Sequence, residues 1–346
     1  MESFTGRTLK ISFLLYCARS GSTFFASQVA KWAENVVVLP EFRLPQMLLG
    51  MTEAQCMALS PNGLQRLFSQ DIQFDNLGFC LEQQQLLAQE LSGRGRRAVF
   101  CGVLEAYRRT HGTTGSHFLV KNGRLIYQMT ELLDVFPDAN LIEVLRDPRG
   151  VVNSMSTTKT VYSYGGAMAG GDPLRALDEW KQYRLASLRL RDQRSSQAVK
   201  VLFEKLVSDD AYATGLIERH FGVRQSESAG LNLSALESNL HPRANASADS
   251  NRSDSWKFEL AEHTGMAIEA LLGDSLTSAG YAPYFSVNKT EQEIQKAVAN
   301  LRLLSRKRRA VHYFKTTMHW LALLPKRPAK VFYRIRQAWR TRIDRC

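Results

Sequence analysis

The chain has 346 residues, of which 44% are hydrophobic and 23% charged. This is the composition of a globular protein with an ample core, and it excludes a mostly disordered or collagen-like chain. The net charge of +12 is lodged at one end: residues 291–346 hold 15 Lys/Arg against 3 Asp/Glu, which leaves the first 290 residues neutral, so the tail is the part that seeks an anionic partner.

In chain order, Ile11–Cys17 is a continuous apolar run of strand length, and Ser22–Trp32 has helical spacing. Further apolar runs follow at Val36–Leu39, Phe118–Val120, Leu141–Leu145 and Val199–Phe203. Helical patterns lie between them at Leu81–Leu91, Ala98–Arg109, Leu125–Phe136, Pro148–Thr157 and Pro173–Asp192. Apolar strands alternating with helices predict a three-layer α/β domain, with a central, mainly parallel sheet covered by helices on both faces. Tyr164–Gly171 is glycine-rich and reads as a mobile loop. Residues 224–254, rich in Ser, Asn and Ala, read as a flexible excursion or lid. The expected division is therefore a domain over 1–290 and a basic helical tail over 291–346.

The tail carries two apolar stripes at helical spacing, divided at Pro325. The first is Val311, Phe314, Met318, Leu321 and Leu324; the second is Val331/Phe332, Ile335, Trp339 and Ile343, ringed by arginines. A basic amphipathic helix with aromatic anchors predicts seating on an anionic membrane surface through residues 311–345. A solvated extension and a nucleic-acid arm are the competing readings, and the aromatic spacing favours lipid, so no nucleic-acid partner is expected. No apolar run reaches the roughly 18–20 residues of a membrane span. The N-terminus has no signal-peptide layout, so a cytoplasmic protein, peripheral on a membrane surface, is expected. Five cysteines without CxxC spacing predict reduced thiols and no zinc site or disulfide framework. The Asn-x-Ser/Thr sequons at Asn232, Asn245, Asn251 and Asn288 read as chance occurrences.

Two strand ends carry chemistry. The first strand runs through Cys17-Ala18 into Arg19-Ser20-Gly21-Ser22-Thr23 and a helix. A glycine-containing turn at a helix start offers backbone N–H groups to an anion, and Arg19, Ser20, Ser22 and Thr23 add donors. Set against a nucleotide P-loop, Ser22 stands where the phosphate-gripping Lys belongs, which speaks against a nucleoside triphosphatase. An ordinary strand–helix turn is the plainer reading. The fourth strand ends in Arg146-Asp147-Pro148-Arg149-Gly150, with Asp147 suited to cap a helix and Pro148 to begin it. Arg146 and Ser154 could share one phosphate, or Arg146 could merely pair with a carboxylate.

Together these two motifs resemble the PAPS-dependent sulfotransferases, in motif style the tyrosylprotein and carbohydrate branches. Val120-Lys121-Asn122 and Phe136-Pro137-Asp138-Ala139-Asn140 extend the resemblance. Phe203-Glu204-Lys205-Leu206 matches a family segment imperfectly and is assigned no chemistry, and Arg252 to Trp256-Lys257 matches a late family segment more weakly. The resemblance implies a P-loop-NTPase-like sheet and a cofactor, PAPS (3′-phosphoadenosine 5′-phosphosulfate), with no metal. It implies that Arg19, Ser20, Gly21, Ser22 and Thr23 grip the 5′-phosphosulfate, that Arg146 and Ser154 grip the 3′-phosphate, and that Trp256 and Lys257 lie near the cofactor. It gives Lys121 and Arg19 the sulfuryl and leaving-group oxygens and Glu41 the role of base, with His117 and His111 as rival bases. For Glu41 the alternative is a helix cap, and for Lys121 a solvated strand end. The implied reaction moves a sulfuryl group to a hydroxyl, less readily an amine, of a carbohydrate or membrane-associated glycolipid. A P-loop-like kinase and a non-catalytic membrane adaptor are the competing classes.

Overall fold

The computed structural model describes residues 9–323, apart from 34, 72, 160–166, 195–197 and 223–250. The second tail stripe, and most of the expected excursion, lie outside the described residues. Five strands form one sheet: β1 (Lys10–Tyr16), β2 (Val36–Val38), β3 (His117–Lys121), β4 (Asn140–Leu145) and β5 (Ala198–Leu202). All pair in parallel in the order β2-β3-β1-β4-β5, so β1 is central. Six consecutive residues of β1 are buried, as a strand covered on both faces requires.

Successive side chains of β1 point to opposite faces. Leu14 and Tyr16 join a core with Phe25, Ala26 and Val29 of α1 (Ser22–Trp32), and with Leu216, Ile217 and Phe221 of the helix Asp210–Phe221. On the other face Phe13 stacks on Phe100 of the helix Arg96–Thr110, at 6.0 Å between ring centroids, and meets Phe136 edge-on at 5.4 Å. The three layers are therefore helices, sheet and helices. The continuous helix expected over Leu125–Phe136 is instead a 3₁₀ segment, Gly123–Gln128, followed by the α-helix Met129–Val135. A Cβ at Gly123 would lie 2.1 Å from the Tyr16 carbonyl oxygen, so this turn is pressed tightly against β1.

The fold divides into two compact units, one comprising Met1–Val151 and Asp178–Glu259, the other Val152–Leu177 and Leu260–Cys346. The first contains the sheet. In the second, the helix Glu262–Leu272 packs on the 33-residue helix Glu291–Leu323. The buried carboxylate of Asp172 accepts from Leu174 N at 3.0 Å, capping the helix that starts at Pro173. Its other oxygen accepts from Ser305 Oγ at 2.7 Å and Arg309 Nε at 2.8 Å, which fixes the long helix. Glu269 receives the backbone N–H groups of Tyr284, Phe285 and Ser286 in the same unit.

His117 opens β3 at the amino edge of the sheet, opposite Lys10 in the register. It lies 2.7 Å from Ser12 Oγ and packs on Phe221. Burial, and then the charge of Lys10, hold its pKa down at about 4. The folded state keeps it neutral, whereas the unfolded chain protonates it near 6.5. Its stabilising effect is thus complete above pH 6.5 and is lost as the pH falls towards 4, by on the order of 3 kcal/mol. Urea unfolding at a series of pH values should show this decline, and His117→Gln should flatten it.

Candidate active site

At the carboxyl edge of the sheet the chain leaves β1 towards β2 and β3 on one side, and towards β4 and β5 on the other. Such a switch point is where an open α/β sheet forms its ligand crevice. The β1–α1 loop occupies it. Ser20 N donates to the Cys17 carbonyl at 3.1 Å, and the chain passes through left-handed backbone at Arg19 (φ 67°) and Gly21 (φ 92°) before α1 begins. Ser22 and Thr23 are buried, and Ser20 is 1% exposed. Ser20 Oγ has no hydrogen-bond partner among the described residues. Leaving a buried hydroxyl unpaired costs about 1–3 kcal/mol, so its position beside a helix start suits a ligand oxygen. Cys17 beside it is a neutral thiol, its pKa raised by burial and then by Glu179, which disqualifies it as a nucleophile.

Lys121 ends β3 opposite Leu14 of β1 and is only 2% exposed. Its Nζ donates to Thr23 Oγ1 at 3.2 Å, so the ammonium belongs to the anion loop and is not a solvated strand end. The next residue, Asn122, donates its backbone N–H to the Leu14 carbonyl at 3.2 Å and its side chain to the Phe42 carbonyl at 2.9 Å. Through this bond the segment bearing Glu41 is tied to the end of β3. The helix Leu44–Leu49 that follows is capped from elsewhere: Asp71 Oδ2 accepts from Arg43 N at 2.5 Å and Leu44 N at 2.8 Å. The half-buried Glu41 is therefore not the cap of that helix.

Arg146, at the end of β4, donates from Nη1 to the Arg19 carbonyl at 3.0 Å, joining the two motifs directly. Its guanidinium lies 4.4 Å from the centre of the Phe203 ring. That ring in turn packs on Gly21, where a Cβ would come within 2.1 Å of Phe203 Cδ2. Glycine at this position thus serves both the positive φ and the close approach of the ring. Asp147 caps the helix Pro148–Thr157, accepting from Arg149 N at 2.8 Å, and binds the Arg149 guanidinium through both oxygens, at 3.0 and 2.7 Å. Glu204 accepts from Asp147 N at 2.8 Å. Burial raises the Glu204 pKa, and the Asp147 N–H partly offsets it.

Arg19, Ser20, Gly21, Ser22, Thr23, Lys121 and Arg146 thus share one sheet edge. Trp256 is buried, but its ring lies 3.9 Å from the Arg149 guanidinium, and Lys257 pairs with Asp254 at 2.8 Å. Ser154 lies further along the helix Pro148–Thr157, in the second unit. Both rival histidines are at the other edge: His117 begins β3, and His111, which ends the helix preceding β3, lies 3.0 Å from the Leu77 carbonyl through Nε2. Four residues of β3, at about 3.3 Å each, separate His117 from Lys121, so neither histidine fits the role of base. The sequence reading singled out Phe203 and Glu204 without giving them a role, and it missed Trp180, whose Nε1 donates to the Arg146 carbonyl at 3.2 Å. The aromatic–acid pair directly after the fifth strand was the available signal for the first two. No cluster of metal-ligating side chains occurs among the described residues.

The sequence model of the Sulfotransferase family matches residues 13–227. No curated protein matches the chain by sequence. Among solved structures, the sulfotransferase domain from the curacin biosynthetic pathway shares the fold, with a TM-score of 0.52, 16% identity, and coverage of 86% of this chain and 98% of that one. The sulfotransferase domain of the Synechococcus PCC 7002 olefin synthase gives a TM-score of 0.48 at 18% identity, covering 72% of this chain and 87% of that one. A sulfotransferase from Mycobacterium avium gives 0.46 at 13%, covering 80% and 79%.

The Phe203 ring supports both Gly21 and Arg146, so its loss should be felt in both. Phe203→Ala is expected to lower stability by about 3 kcal/mol in denaturant unfolding. A loss under about 1 kcal/mol, typical of a surface change, would show that the ring does not hold this loop.

Proposed function

The chain belongs to the sulfotransferase family, and from that premise we propose that it moves a sulfuryl group from PAPS to an acceptor hydroxyl, less readily an amine. The observation that carries the choice of donor is the loop itself. A buried Ser20 hydroxyl without a partner among the described residues stands at a helix start, and the arginine of a second motif bonds to the same loop. When bound, the donor supplies the sulfuryl group and a bisphosphate leaving group. Two anionic ends call for two cationic grips, and Arg19 and Arg146 come from different strand ends to give them.

The roles follow from the chemistry of the side chains. The loop N–H groups, Ser20, Ser22 and Thr23 hold the 5′ end, with the helix start adding positive potential. Lys121 sets its charge beside Thr23, where it can stabilise negative charge developing on a departing oxygen. Arg146 donates to the Arg19 carbonyl, and its planar fork of N–H donors is the chemistry that suits a phosphate, which supports assigning it to the 3′-phosphate. Ser154 is assigned to the same phosphate. Arg149 is held by Asp147 and covered by Trp256, so these residues shape the start of the helix. Lys257, with its carboxylate partner Asp254, is a peripheral charge near this segment. Glu41 takes the acceptor proton as the hydroxyl becomes acidic in the transition state. Its segment is bound to the end of β3 and its helix is capped by Asp71, which supports that role. The acceptor we assign is a carbohydrate or glycolipid hydroxyl, in keeping with the basic tail.

Two experiments test this. Adenosine 3′,5′-bisphosphate should raise the melting temperature, by about 2.7 kcal/mol of stabilisation at 100 times its dissociation constant, whereas ADP and ATP with Mg²⁺ should not. Arg146→Lys, which keeps the charge and loses the fork, should abolish most of that shift; stabilisation by ATP with Mg²⁺ alone would overturn the assignment. Glu41→Gln should lower kcat for sulfuryl transfer by about 10²–10⁴-fold while leaving the bisphosphate shift intact. Full turnover by that variant, against any acceptor the wild type uses, would remove Glu41 as the base.

A further inference from the structure

We propose that the outer stripe of the helix Glu291–Leu323 docks the protein on an anionic bilayer surface. The helix has two unlike faces. Ala297, Val298, Leu301 and Ser305 are buried within the second unit, and Arg309 is bound to Asp172. Nearly opposite, at 100° per residue, Leu303, Val311, Phe314 and Met318 form a stripe with every member more than half exposed, and Phe314 is 67% exposed. Large apolar side chains repeated along one face turned away from the core are not ordinary surface, and they mark a contact.

Charge identifies the partner. From Ile294 to Leu323 the helix has no Asp or Glu, and it carries Lys296, Arg302, Arg306, Lys307, Arg308, Arg309 and Lys315. Arg308 and Arg309 are used within the unit, the former on the Gly171 carbonyl and the latter on Asp172. Arg306 and Lys315 flank the apolar stripe, Lys307 lies within it, and all three are exposed. An anionic bilayer answers both features at once: acyl chains receive the apolar side chains, and headgroups receive the cations. A second copy of the helix would cover the stripe but set cation against cation. Residues 324–346 carry the same sign of charge and would repel it likewise. A nucleic-acid backbone would satisfy the cations and leave Phe314 and Met318 in water. No helix among the described residues is long and apolar enough to cross a membrane.

Flotation of the full chain with vesicles tests this. Vesicles containing about one third phosphatidylglycerol should carry the protein, pure phosphatidylcholine vesicles should not, and added salt should release it. Each cation lost near the surface weakens partitioning about fivefold, so Arg306→Glu/Lys307→Glu/Lys315→Glu should reduce it more than a hundredfold. Phe314→Ser should reduce it by about tenfold or more, with circular dichroism and melting temperature unchanged in both variants. Three results would overturn the proposal. They are no flotation of the wild type, flotation unaffected by both variants, and a lipid-free dimer in sedimentation velocity that Phe314→Ser dissociates.

Discussion

A hydrogen bond from the Arg146 guanidinium to the Arg19 carbonyl joins the two motifs, between residues 127 positions apart. The loop it holds is not a relaxed turn. Arg19 has a φ of 67°, a conformation that costs an L-residue about 1–3 kcal/mol and persists only where surroundings impose it. Arg146 supplies that imposition at the Arg19 carbonyl, and the Phe203 ring packs against Gly21. Arg146 is in turn held at its own carbonyl by Trp180. A loop fixed in this way holds the buried Ser20 hydroxyl at the start of α1, and fixed dipoles of this kind act without reorganisation.

The sheet explains why such distant residues meet. Parallel strands bring all their carboxyl ends to one edge, and β1 lies between β3 and β4. Arg19 follows β1, Lys121 ends β3 and Arg146 follows β4, so three basic residues from three strand ends come to one edge without any long loop. The helix after β4 then begins within the same cluster, and its buried Asp147–Arg149 pair is satisfied on both sides. Breaking such a pair by removing one partner typically costs about 3–5 kcal/mol, so the second arginine of Arg-Asp-Pro-Arg serves the structure.

Much of this was legible in the sequence, for a physical reason. Strands buried on both faces are continuous apolar runs, so β1 and β4 were readable to within one residue, and Leu81–Leu91 and Pro148–Thr157 were bounded by cap residues and periodicity. The segment between Arg43 and Leu77 was not read, because its helices of 5 to 10 residues are too short for a periodic stripe. Its signals were local: a Thr52–Gln55 capping box, and Ser60 before Pro61. The role of Phe203 rests on stacking between segments far apart in the chain, which no local pattern encodes. The cap reading of Glu41 failed on Asp71, 28 residues beyond Arg43, which accepts the N–H groups at that helix start. The histidines could have been separated from the site by direction alone, since a residue that precedes a parallel strand lies at the edge away from the ligands.

Convergence of like charges carries a further consequence. Arg19, Lys121 and Arg146 bring like charge to one sheet edge, and burial of Lys121 lowers the local dielectric and so strengthens whatever charge faces it. Thr23 Oγ1 and the Arg19 carbonyl offset part of that charge through dipoles, and the Glu204 carboxylate faces Arg146 at the β4 end. A ligand that bears a single anionic group would relieve one cation and leave the others opposed. A ligand with anionic groups at two separated positions relieves the loop and the β4 end together, and gains from both.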